Sequence, residues 1–198
     1  MAQATGQRAP LLLILLTSIA FLFANGAASA QSRSYTWKDI DCGQSRIAAW
    51  PGLTCRATNI VTNESRIGQF RQWAAFGRDA KGYYVHMFLW EAVNGFSYVS
   101  ADDTTAEFVR WMFENGKYVT DVSPVQHSHD ADYLSFRDDK VGRACVGFRR
   151  LGRFQRGGYD QLSGGILCAP PGRMISDKDV SLFIEKVKLR PVGADAAR

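Results

Sequence analysis

The chain has 198 residues, 46% of them hydrophobic, with 24 Lys and Arg against 19 Asp and Glu for a formal net charge of +5. Setting aside an N-terminal leader leaves about 168 residues with a net charge of +4, the size of one ordinary domain. The later apolar runs, such as Tyr83 to Trp90, are of strand length, which excludes a membrane span in the mature chain.

The leader is the first element. Arg8 supplies a short positive region, Leu11 to Phe23 an apolar run, and Ala28-Ser29-Ala30 small residues at a cleavage position. A spanning helix needs about 20 apolar residues, and Asn25-Gly26 stops this run early. No cysteine follows the cleavage position, which argues against a lipid anchor. Residues 1–30 therefore read as a cleaved secretory signal, 31–191 as a single disulfide-stapled domain, and 192–198 as a frayed tail. The expected location is periplasmic or secreted.

Cys42, Cys55, Cys145 and Cys168 all follow the leader, and an even count in an oxidising compartment argues for two disulfides. Three pairings are open; chain order favours Cys42 with Cys55 and Cys145 with Cys168, each closing a local loop worth about 3 kcal/mol. No two cysteines lie two to four residues apart, so a zinc knuckle is not encoded, and disulfide formation leaves no thiol nucleophile.

Along the mature chain, Gly68 to Phe76 and Tyr83 to Glu91 read as antiparallel strands joined by a hairpin loop at Arg78 to Gly82. Gly95 to Val99 is a further strand candidate. Ser100-Ala101-Asp102-Asp103 fits a capping box opening a helix, with Phe108, Trp111 and Met112 at helical spacing and Gly116 at its end. Tyr133 to Arg137 and Val141 to Phe148 flank Asp138-Asp139-Lys140 as a second hairpin. Gly165 to Cys168 reads as one more strand, and the glycines of Gln161-Leu162-Ser163-Gly164-Gly165 as a turn or bulge before Cys168. Ser176 to Asp179 is a second capping box, followed by a Val180, Phe183, Ile184, Val187 stripe and a last strand at Lys188 to Pro191. Short turns rather than helical crossovers join the strands. The expectation is an α+β fold: an antiparallel sheet of short strands with two helices packed on one face, and two disulfides.

Three groups carry chemistry. Arg149, Arg150, Arg153 and Arg156 fall in a stretch without acids, interleaved with Phe148 and Phe154. Guanidinium forks suit an anionic glycan, a lipid head group or an acidic protein, whereas export makes nucleic acid a poor partner. His127, His129, Asp130 and Asp132 form the second group, a candidate metal site of imidazole and carboxylate ligands. It departs from the H-x-H-x-D-H pattern of metallo-β-lactamase-like enzymes at Ala131 and Asp132, and a solvated loop is the competing reading. His86 and Glu91, on an aromatic strand, are the third: His86 as a general base against a core or edge histidine bonded to a neighbour, and Glu91, on the strand's rim, as one carboxylate of a glycoside-hydrolysing pair. No G-x-S-x-G elbow or phosphate-binding glycine loop occurs. The strand aromatics Trp73, Tyr83, Tyr84, Trp90 and Tyr98 suit a carbohydrate-stacking surface or the core. The sequence thus points to an exported binding or accessory domain needing no cofactor, with a metal-binding protein or metal-dependent hydrolase built on His127 and His129 as the alternative.

Overall fold

A computed structural model describes residues 35–62, 68–95, 97–113, 116–128, 130–155 and 157–191. The expected signal at 1–30, the expected tail at 192–198, His129 and Arg156 lie outside the described residues.

Alternation of side chains builds a predominantly antiparallel sheet. The strands are β1 (Trp37–Ile40), β2 (Thr54–Thr58), β3 (Val61–Thr62), β4 (Gln69–Arg78), β5 (Tyr84–Ala92), β6 (Val119–Thr120), β7 (Gln126–Ser128), β8 (Ala131–Asp138), β9 (Arg143–Leu151), β10 (Phe154–Gln155), β11 (Gly158–Tyr159) and β12 (Gln161–Cys168). The order across the main sheet is β1-β2-β4-β5-β12-β9-β8-β6, with β3 added to β4 and β7 to β8. β10 and β11 form a separate ribbon. Every pairing among the described residues is antiparallel. β12, last in sequence, inserts between β5 and β9 at the centre. The expected hairpins form, but the central strands run eight to ten residues rather than being short. Side-chain period two then separates two apolar faces. Val85, Met87 and Leu89 of β5 enter one core, and Phe88, with Tyr84 and Trp90 at its margin, enters the other.

Among the described residues two α-helices complete the fold, α1 (Thr105–Met112) and α2 (Asp177–Lys186). Both open on a capping box. That of α2 is the expected one, with Ser176 accepting from the Asp179 amide and the Asp179 carboxylate accepting from the Ser176 amide. That of α1 is shifted from the expected Ser100–Asp103 to Thr104–Glu107, while the Ser100 hydroxyl turns to the Asp102 carboxylate. Starting there sends Phe108, Val109 and Met112 inward together.

The expectation of both helices on one face is corrected by the structure: α1 and α2 lie on opposite faces. The adjacent glycines of β12 make this plain. A Cβ at Gly164 would collide with the Phe108 ring of α1, and a Cβ at Gly165 would come within 2.8 Å of the Phe183 ring of α2. Consecutive strand residues point to opposite faces, so the two phenylalanines approach from opposite sides. Ser163-Gly164-Gly165 is thus mid-strand rather than a turn, thinned so that an aromatic ring sits directly on the backbone on each side. Two expected strands reduce to single bridges, Val99 with Tyr159 and Leu189 with Ile47.

Both disulfides take the favoured pairing, Cys42 with Cys55 and Cys145 with Cys168. The second joins direct register partners on β9 and β12, and the first closes the loop holding Trp50-Pro51. Two disulfides are compatible with an oxidising location. Among the described residues no helix is long and apolar enough to cross a membrane.

Candidate functional site

The arginine quartet is not brought together. Arg149 and Arg150 are neighbours on β9 and therefore project to opposite faces. Arg150 donates to the Val187 carbonyl at 3.0 Å, to the Ile184 carbonyl at 3.1 Å and to the Asp130 carboxylate at 2.8 Å. It thereby holds the last carbonyls of α2, where a cation also opposes the helix dipole. Arg149 donates to the Asp103 carbonyl beside α1 and lies 3.8 Å from Asp132. Arg153 is exposed and faces Asp160 at 3.8 Å. Arg156 is outside the described residues.

The histidine loop becomes a small edge hairpin, with His127 on β7 opposite Asp132 on β8. Their Nδ1 and Oδ1 atoms are 2.6 Å apart, and the imidazole is 80% exposed. Asp130 points away, to Arg150. Among the described residues no group of three or more His, Cys, Asp or Glu side chains is placed to hold a metal ion.

Glu91 is fully engaged. One carboxylate oxygen accepts from the Trp73 indole at 2.7 Å, the other from Arg46 at 3.0 Å. Arg71, its register partner on β4, stacks 4.1 Å above the Trp73 ring. This cluster lies on the α2 face and stitches β4, β5 and the loop after Cys42 together.

His86 projects to the α1 face, beside Tyr84 and Phe88 in parity. Its register partner is Phe76, whose ring meets the imidazole edge-on at 6.1 Å. Burial pushes the imidazole down to about 4, partly offset by its hydrogen bond to the Met112 backbone at the end of α1. At neutral pH it is an uncharged ring donating to that carbonyl.

Around it several elements converge to build a site. α1 covers β9 and the adjoining part of β12, as Val109 over Gly147 and Phe108 over Gly164 require. The β1, β2, β4 and β5 half of the same face extends past the helix, and a cavity of about 330 Å³ opens there. It is lined by Trp37 of β1, Phe76 of β4, Tyr84 and His86 of β5 and Trp111 of α1, together with Arg56 of β2. Trp111 is 51% exposed, yet its ring is fixed edge-on against Phe88 at 4.8 Å. Arg56 stands 2.8 Å from Asp39, a donor and an acceptor side by side at the rim.

Sequence reasoning reached His86 and Tyr84 through their shared strand parity. It missed Trp37, Arg56 and Trp111, which belong to three other elements and meet only through sheet order. Comparison of the chain with protein-family models, with curated proteins and with solved structures gives no match.

Proposed function

We propose that this is an exported domain, periplasmic or secreted after removal of residues 1–30, that binds a glycan in the aromatic groove and does no chemistry on it. The single observation carrying this reading is that the half-exposed Trp111, packed edge-on against Phe88, and Trp37 line one cavity with a paired Arg56 and Asp39 at its edge. Sugar rings combine a flat C–H face with hydroxyls that both donate and accept. Fixed indole and phenol rings serve the face, while guanidinium, carboxylate and neutral imidazole serve the hydroxyls. Binding rather than catalysis is favoured because the groups with chemical potential are engaged in the fold. Glu91 is held by Arg46 and Trp73, Asp138 by Arg143 at 2.8 Å, and His86 by Met112.

Titration with neutral and acidic oligosaccharides, followed by tryptophan fluorescence, tests this reading. Saturable change that disappears in Trp37→Ala supports it; absence of change with every oligosaccharide overturns it.

A second reading is favoured by one contact. The Asp132 carboxylate fixes His127 through Nδ1 and leaves Nε2 facing solvent, the orientation in which carboxylate-backed histidines ligate transition metals. A metal carrier or metal-dependent hydrolase at His127 would need further ligands, and His129 is the sequence candidate. Metal analysis of untagged protein beside a His127→Ala/His129→Ala variant decides it.

A further inference from the structure

A second cavity, of about 280 Å³, lies on the opposite side of the sheet from the aromatic groove. It is built by three elements: the Trp50-Pro51 loop, the turn between β4 and β5, and α2. Apolar walls come from Trp50, Leu182 and Phe183, with Trp50 and Phe183 meeting edge-on at 5.8 Å. The Cys42–Cys55 disulfide closes the loop that carries Trp50, and Asp79 ties the turn by accepting from the Lys81 and Tyr83 amides, both at 2.9 Å. The walls are therefore fixed before any ligand arrives, which lowers the ordering cost of binding.

The polar groups of this cavity are unbalanced. Tyr83 is 3% exposed, and its hydroxyl is buried with no hydrogen-bond partner among the described residues. A buried hydroxyl without a partner is costly and rare, and it marks a place where a group from outside completes the bonding. Two lysines, Lys81 and Lys186, line the same cavity, and neither has a carboxylate within 4.0 Å among the described residues. Arg173 adds a third cation, its guanidinium 5.2 Å from the centre of the Tyr83 ring. The two acids of the cavity already have local duties. Asp79 holds the turn, and Asp179 accepts from the Ser176 amide and hydroxyl to cap α2, with its carboxyl held below the ordinary range first by those bonds and further by the nearby charges of Arg173 and Lys81. Ammonium groups only donate, and the Tyr83 hydroxyl has no acceptor. With Arg173 the three cations outnumber the two acids, and a negatively charged acceptor on an apolar body would complete the Tyr83 hydroxyl and the excess positive charge.

We propose that the cavity between α2 and the β4–β5 turn is a binding site for a small organic carboxylate, its body against Trp50 and Phe183 and its oxygens toward the Tyr83 hydroxyl and the Lys81 and Lys186 ammoniums. The site shares no residue with the aromatic groove and stands or falls independently of the glycan reading.

Calorimetric titration of the oxidised domain with a panel of aromatic and branched aliphatic carboxylates, each beside its uncharged primary amide, tests the assignment. The expected result is binding of carboxylates and not of amides. Lys81→Ala/Lys186→Ala abolishes it, and Tyr83→Phe weakens it about tenfold, the value of one hydrogen bond to a charged group. Without ligand, Tyr83→Phe leaves the thermal midpoint unchanged or raises it, because the hydroxyl removed has no bond to lose. Binding of amides as tightly as carboxylates, binding unaffected by the lysine pair, or no heat with any carboxylate at millimolar concentration overturns the proposal. A lowered midpoint for unliganded Tyr83→Phe does so as well, since it would mean that the hydroxyl already has a partner.

Discussion

Arg46 and Glu91 are 45 residues apart in sequence and form an ion pair 3.0 Å long with side chains only 13% and 12% exposed. The pair links the loop closed by the first disulfide to the end of β5, and the Trp73 indole supplies the second hydrogen bond that a nearly dry carboxylate requires.

Removing one partner strands the other. Glu91→Gln is expected to cost about 3 kcal/mol in urea unfolding, because a buried guanidinium loses its counter-charge. Arg46→Met combined with Glu91→Leu is expected to recover most of that loss. A neutral effect of Glu91→Gln would mean that water reaches the pair.

Arg150 fastens α2 to β9 from the sheet side. Arg150→Met keeps the aliphatic stem but removes the bonds to the Ile184 and Val187 carbonyls, at an expected cost of about 1–3 kcal/mol. Amide exchange at the end of α2 should accelerate more than exchange in α1, since α1 lies on the other face. Equal acceleration in both helices would contradict the account of Arg150 as the fastening of α2.

Much of this architecture is legible in the sequence where the determinants are local. The Arg78 to Gly82 hairpin, the Ser176 box and the α2 stripe each depend on residues within one or two turns of chain. The placement of α1 and α2 on opposite faces is not local. It follows from β12 inserting between β5 and β9, a long-range pairing that no short window records. Arg149 and Arg150 show a signal that was available: on a strand, adjacent residues cannot serve one site, and the strand Val141 to Phe148 runs directly into them. The groove was half visible, through the parity of Tyr84 and His86. Trp37 and Trp111 lie 49 and 25 residues from His86 and join it only because the fold places β1 and α1 on that face.

His86 makes stability depend on pH with a definite sign. An unfolded histidine titrates near 6.5, and the folded one is held down to about 4 by burial. The folded state therefore favours the neutral ring. Its contribution is fully present above about pH 6.5 and is lost as pH falls toward 4, by roughly 3 kcal/mol at most. The urea midpoint of the parent protein should fall over that window more steeply than that of His86→Phe. Parallel curves would contradict the burial of an uncharged imidazole.

The two disulfides are expected to act as independent staples. Replacing either pair by serine should lower stability by about 3 kcal/mol on the chain-entropy model, with loops of 13 and 23 residues. The effects should add, since the bonds tie separate regions. Loss of the Cys42–Cys55 bond is expected also to loosen the Trp50 loop, visible as faster proteolysis there. Proteolysis of that loop unchanged in the serine pair would remove the disulfide from the account of its rigidity.

The central claim is that the aromatic groove on the α1 face is a glycan seat, and a glycan array probed with the oxidised domain and with Trp111→Ala tests it most directly. Trp111 is 51% exposed, so its truncation leaves the core in place. The account predicts that the parent protein retains a related subset of glycans and that Trp111→Ala, still folded, retains none of them. An empty array, or the same glycans held by Trp111→Ala, would contradict it.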